Sequence, residues 1–288
     1  MNQDRIKIIL IGVLALIWGS SFILIKRGLE GLTAFQLGSL RMIFGSLFFL
    51  MIGFRSLAKI PREKWKFIAL TALFGSFLPA FLFAIAQTHI SSTISAIMNA
   101  LTPLSTLVVG ILLFSLDYKR SQIFGVIIGL AGCVLLILGG TSNHSGDNDL
   151  FALLAFAGAF CYAINVNLLK KNLSDLSPLS IATGNFAVML LPCLAILVST
   201  GFFSQVHEPK VQHAIGFIAL LGIMGTGIAN LLFYRLIKIS TPVFASQVTY
   251  LIPIVAFFWG ALDGEVLSFW QGLGALVVLV GVWISGRK

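Results

Sequence analysis

Charge is what this chain has least of. Of its 288 residues only 10% are Asp, Glu, Lys or Arg, 58% are hydrophobic, and the mean hydropathy is +1.01. A water-soluble domain carries roughly a quarter charged residues, so a soluble fold could not be covered by this composition. Acids are scarcest where they would matter most. No Asp or Glu lies deep in an apolar run, and Asp263 and Glu265 stand at the edge of one. A buried proton-coupling carboxylate therefore has no obvious carrier. Cysteine is also rare: Cys133, Cys161 and Cys193 all fall inside apolar runs, where a thiol behaves as a small hydrophobe. Their spacing fits neither a disulfide framework nor a metal site.

Other absences narrow the function. The net charge of +9 is spread over short loops with no basic arm or aromatic-interleaved basic face, which argues against nucleic acid as a partner. His89, His144, His207 and His213 sit at loops or the ends of apolar runs and read as solvated side chains. Paired acids, an H-E-x-x-H site and an activated nucleophile are missing, so the chain does not read as an enzyme. "GVWISGRK" at the end mimics a P-loop, but Arg287 replaces the lysine and no helix follows. Neither metal nor cofactor is expected, and without a nucleotide site the chain is no ATP-driven pump by itself.

Long hydrophobic runs are what remain. A spanning helix needs about 20 mostly apolar residues. Breaking the chain at charged and turn residues predicts an all-α membrane protein with ten transmembrane helices. The predicted spans are residues 6–26, 33–54, 65–87, 91–114 and 119–139, then 149–170, 177–200, 213–236, 242–262 and 266–286. The first could pass for a signal peptide, but its apolar run is too long and lacks an A-x-A cleavage pattern. "GGTSNHSGDN" (Gly139–Asn148) is the one weakly apolar linker. It divides the chain into a five-helix half at 1–140 and another at 148–288.

Orientation follows from the cations. With the N-terminus in the cytoplasm, that side holds Arg5, Lys7, Arg55, Lys59, Arg62, Lys64, Lys66, Lys119, Arg120, Lys170, Lys171, Arg235, Lys238, Arg287 and Lys288. The outer side keeps Lys26, Arg27 and Lys210, and Arg41 is left within a span. Both termini are then cytoplasmic in a cell inner (plasma) membrane.

The halves also resemble each other. Trp18–Phe35 lies over Tyr162–Leu179, and further on Gly75, Pro103 and Gly110 match Gly225, Pro253 and Gly260. An odd number of spans per half turns the second half upside down, the inverted repeat of many secondary transporters. Pro103 and Pro253 would each interrupt a helix near the midplane, freeing the carbonyls of Asn99 and Thr249. Such backbone is tolerable where it lines a wet cavity. Kinks inherited from a duplicated ancestor that only shape packing are the plainer alternative.

The pattern resembles the EamA-type family of the drug/metabolite transporter superfamily. It rests on "IWGSSFILIK", the arginine of "SLRMIFG", "LTPLSTLVVG", "LIPIVAFFWG" and "GEVLSFWQGLGALVVLVGVWI", and covers essentially the whole chain. The resemblance implies two EamA-like halves and export or exchange of small metabolites, such as amino acids, by alternating access through a central cavity. Small multidrug resistance transporters of the superfamily carry a glutamate in their first span. Here that stretch has Trp18, Gly19 and Ser20 and no acid, which favours exchange or facilitation over proton coupling. A membrane-embedded enzyme or a channel-like facilitator is the alternative class.

The residues expected to line the cavity come from the doubled polar positions. Trp18 and Ser21 share a helix face, and Tyr162 and Asn165 repeat it. Asn99 and Thr249 flank the prolines, Gln247 and Tyr250 lie beside Thr249, and Asn230 and Tyr234 share a face. Each could instead join helices, at about 0.6 kcal/mol per hydrogen bond, and Ser21 alone reads best as bonded to its own helix. Arg41, between Gly38 and Gly45, is read as structural or gating, with a substrate carboxylate as its other candidate partner. Pro103 and Pro253 are structural, and Glu265 caps the last helix N-terminus, an outer gate being its alternative. A small metabolite and the bilayer are the expected partners. The chain is expected to act as a monomer, with dimerisation through "GVIIG" (Gly125–Gly129) as the alternative.

Overall fold

The computed structural model describes residues 3–90, 95, 98–115, 118–138, 151–262 and 269–286. Among these residues every regular element is helical. In the first half they are α1 (Gln3–Gly19), α2 (Ser21–Leu29), α3 (Ala34–Gly53), α4 (Trp65–Ala72), α5 (Leu78–Ala86), α6 (Thr102–Phe114) and α7 (Arg120–Leu138). In the second they are α8 (Ala152–Asn172), α9 (Pro178–Ser199), the short α10 (Phe202–Gln205), α11 (Pro209–Leu220), α12 (Ala229–Ile239), α13 (Pro242–Ser246), α14 (Val248–Leu262) and α15 (Phe269–Gly286). The Gly139–Asn148 linker and Glu265 lie outside the described residues.

Among the described residues six helical stretches are long and apolar enough to cross a membrane: Gln3–Leu29, Ala34–Lys59, Arg62–Ala86, Ala152–Asn172, Pro178–Ser199 and Pro209–Ile239. Shorter apolar helices make up much of the rest. The burial pattern is the reverse of a soluble core. Met51, Leu112, Leu191 and Phe269 are exposed, whereas Ser39, Thr71, Asn167 and Asn185 are fully buried. Apolar surface turned outward on this scale belongs against lipid rather than water.

Helix starts follow local chemistry. Thr33 caps α3 in a reciprocal capping box with Gln36, while Ser177 and Thr241 cap α9 and α13, each followed by a proline in the first turn. There the missing N–H would have been unpaired anyway. Two stretches widen into π-helical turns, Leu73–Phe77 between α4 and α5, and Leu221–Ile228 between α11 and α12. Such turns free backbone carbonyls for other partners.

Helices are interrupted near both expected positions, but not at the prolines themselves. The first break, at Ala100 and Leu101, comes before Pro103, which sits in the first turn of α6 rather than in a helix interior. The Asn99 carbonyl accepts from the Thr102 hydroxyl at 2.7 Å. In the second half the break is at Gln247, between α13 and α14, and Pro253 lies within α14. Polar side chains at the breaks, rather than the prolines themselves, take up the local backbone.

Packing interleaves the two halves of the chain. α1 lies against α12 and α14, and α8 against α5 and α6. α3 packs along α9, and α7 along α15. The last contact is made by glycines: a Cβ on Gly281 would stand 2.5 Å from the Gly129 nitrogen, and one on Gly132 would stand 2.6 Å from the Val278 nitrogen. Lipid supplies no hydrophobic drive between helices, so close backbone approach provides the attraction. The "GVIIG" stripe is thus occupied within the chain by α15.

Candidate functional site

A cavity of about 910 Å³, counting the space open to solvent, lies at the centre of the interleaved helices. Its walls come from α1 to α3, both π-helical segments, α5, α8, α12, and the residues around both breaks. Gln87 also lines a shallower recess with Lys26, Leu29 and Glu30, which marks the end where the cavity approaches the surface.

Two similar faces contribute to the lining. On α1 and α2, the Trp18 indole donates to the Gly225 carbonyl at 2.8 Å, and Ser21 packs so closely that a Cβ on Gly225 would lie 2.9 Å from its hydroxyl. On α8, Asn165 closes over Gly75, whose Cβ would lie 2.5 Å from the Asn165 Cγ. Both glycines belong to π-helical segments. Trp18 meets Phe233 edge to face with centroids 5.0 Å apart, and Tyr162 stacks on Phe83 at 5.9 Å. The Ser21 hydroxyl also bonds its own helix, donating to the Ile17 carbonyl at 2.9 Å.

The polar content comes from a few side chains. Arg41 donates from Nε to the Thr226 hydroxyl at 2.7 Å, and Asn230 donates to the Thr226 carbonyl at 2.7 Å. Gly45 makes room for this contact, since a Cβ there would be 3.2 Å from the Thr226 methyl. The Asn165 Oδ1 is buried without a hydrogen-bond partner. Asn99 and Thr249 complete the polar lining together with Thr102 and Ser246. Among the described lining residues there is no Asp or Glu.

Of the residues expected from sequence, the structure brings Trp18, Ser21, Asn99, Tyr162, Asn165, Asn230 and Thr249 to this lining, and adds Arg41. It does not bring Gln247, Tyr250 or Tyr234 there. Gln247 is fully buried at the α13–α14 break with its amide unpartnered. Tyr250 donates to the Val126 carbonyl at 3.0 Å and packs on Gly129, anchoring α14 to α7. Tyr234 lies one turn beyond Asn230, with its hydroxyl 3.0 Å from the Asn185 amide. Turned to satisfy all its neighbours, that amide accepts from Tyr234 and donates to Thr71 at 2.9 Å. Thr226, Ser76, Thr102, Ser246 and Gln87 were not singled out in the sequence. For Ser76 and Thr226 the signal was present, since they directly follow the matched Gly75 and Gly225.

Beyond Tyr234, lysines tie neighbouring helix ends and turns together. Lys64 donates to the Asn172 carbonyl at 2.8 Å and to Asp175 at 3.0 Å. Lys170 donates to the Ser240 carbonyl at 2.6 Å, Lys238 to that of Leu176 at 3.1 Å, and Lys171 to that of Phe114 at 2.9 Å. Except at Leu176, which lies in the turn before α9, these cations meet carbonyls at helix C-terminal ends, where the macrodipole favours them. The hydrogen bond from Lys64 holds the Asp175 carboxyl below its ordinary range. Tyr118, whose hydroxyl donates to Asn167 at 3.1 Å, has its phenol pushed up to about 12 by burial.

With this geometry the comparison with known proteins is decisive. The sequence pattern of the EamA-like transporter family matches residues 5–138 and again residues 150–287. The chain belongs to the EamA-like transporter family. Relatives in the family align along nearly its whole length. An "Uncharacterized transporter" of Archaeoglobus fulgidus is 26% identical over 97% of both chains. The "Uncharacterized inner membrane transporter YedA" of Escherichia coli K12 is 28% identical, covering 95% of this chain and 89% of its own. A "Probable amino-acid metabolite efflux pump" of Salmonella typhimurium is 24% identical over 95% and 92%. A crystal structure with 18% sequence identity shares the fold at a TM-score of 0.72, over 96% of this chain and 94% of that one. The EamA-like chain is therefore a multi-pass membrane transporter.

Proposed function

We propose that this EamA-like protein is a secondary transporter that exports or exchanges small metabolites, amino acids or related compounds, by alternating access. In this reading ten spans form two inverted five-helix repeats, 1–140 and 148–288, in the inner membrane with both termini cytoplasmic. One observation carries it: the Trp18/Ser21 face seated on Gly225 and the Tyr162/Asn165 face seated on Gly75 meet across one cavity. A pseudo-twofold axis that relates two such faces gives a carrier two near-equivalent closures around a fixed site. The amino-acid class is supported by the printed name of the Salmonella relative and by walls that are mostly apolar with a few placed polar groups.

The lysine-tied end corresponds to the cytoplasmic side by the distribution of cations, so this conformation is the outward-facing one. The lack of acids in the lining supports exchange or facilitated movement rather than proton-driven export. Counterflow in proteoliposomes tests the reading. Vesicles preloaded with unlabelled amino acids or nucleobases are expected to accumulate the labelled solute without a pH gradient. Accumulation that requires the gradient would overturn the exchange reading, and no accumulation of any of these solutes by folded protein would overturn the proposed substrate class.

A further inference from the structure

Arg41 is a cation with too few partners. A guanidinium carries five N–H donors, and Arg41 makes one hydrogen bond among the described residues, from Nε to Thr226. The ion pairs among those residues are Lys7–Asp4, Arg27–Glu30 and Lys64–Asp175, so none neutralises it. Arg41 lines the central cavity, as does Asn165 with its unpartnered Oδ1, and the remaining walls include Phe22, Phe83 and Phe233. Buried charges are retained where something pairs with them, and a planar guanidinium matches a carboxylate in two parallel bonds.

We infer that Arg41 is the receptor for a substrate carboxylate, and that the ligand is an amino or hydroxy acid with an apolar side chain whose donor group meets Asn165. This rests on the transporter reading and names its substrate class. Thr226 holds Nε, leaving the outer fork directed to the ligand. A described lining that carries Arg41 and no acid favours anions and zwitterions over net cations. A second consequence concerns the cycle. Closing the cavity removes water from Arg41, and without an anion this isolates a charge. The empty carrier therefore closes slowly, and exchange of one acid for another outruns net efflux.

Matched pairs test this in purified protein and in proteoliposomes: phenyllactate against phenyllactamide, and L-phenylalanine and L-leucine against their amides. At least one acid is expected to bind tenfold or more tightly than its amide, with exchange of that acid tenfold or more faster than net efflux. Arg41→Gln is expected to abolish both margins, while Arg41→Lys keeps a reduced acid preference. Should Arg41→Gln fail to fold, Thr226→Val provides the reading, weakening acid binding several-fold while charge is retained. Asn165→Leu should remove the preference for phenyllactate over 3-phenylpropionate. Amides and acids handled equally by the wild type would overturn the inference and leave the transporter reading standing. Acid preference that survives Arg41→Gln would also overturn it.

Discussion

A single absent methyl group decides how each half meets the cavity. Gly75 and Gly225 are not required here for unusual backbone angles but for contact, since Asn165 and Ser21 occupy the space a Cβ would need. Gly75→Ala would drive its methyl into the Asn165 amide, a tightly packed side chain. Overpacking of this kind costs typically 1–3 kcal/mol, and a lower melting temperature with reduced yield is expected. Asn165→Ala in the same chain should recover the melting temperature, because it removes the atoms that collide. Additive losses in the double mutant would show that the two sites do not share this contact.

Asp175 offers a second test among single residues. Its folded-state pKa lies below the ordinary value because Lys64 donates to it. The pair therefore stabilises this contact fully above the unfolded carboxylate value of about 4, and the stabilisation is lost as the pH falls through the lower folded value. Thermal melts taken downward from pH 5 should show a small acid-dependent loss in the wild type. Asp175→Asn should lack that component. An identical acid profile in both proteins would remove Asp175 from the account.

Among the elements, the glycine seam between α7 and α15 is the tightest joint. Because Gly281 faces backbone of Gly129 rather than a movable side chain, Gly281→Ala must push two helices apart. It is expected to be more damaging than Pro103→Ala, whose proline occupies a first helical turn where no hydrogen bond is lost. Folded yields of the two variants, measured side by side, check the order. The contrast also explains what could be read from the residues in advance. Spans such as 33–54 and 177–200 were legible because apolar length and capping residues are local properties. The doubled Gly75/Gly225 and Trp18/Tyr162 pairs were legible because each pair stands at nearly the same spacing along the chain. The breaks at Ala100 and Gln247 were not, since a proline marks a constraint without saying on which side the chain relieves it. Thr226 was passed over because an isolated threonine in an apolar run looks like Thr106, which merely bonds the Thr102 carbonyl of its own helix. Tyr250 was misplaced for the converse reason: its neighbours in sequence are cavity residues, but its ring turns towards Gly129.

For the molecule as a whole, the exchange of partners between halves matters more than any one helix. α1 leans on the second half and α8 on the first, so neither half can be completed without the other. Yet among the described residues one tryptophan, Trp18, lines the interior they share. Its indole N–H is pinned to Gly225 and its ring rests on Phe233, so its surroundings change chiefly when the chamber fills or closes. Replacing Trp65, Trp259, Trp270 and Trp283 by phenylalanine would leave a native lamp inside the protein. Its emission would shift to the blue as water is displaced, and an unlabelled library of solutes could be screened by colour alone.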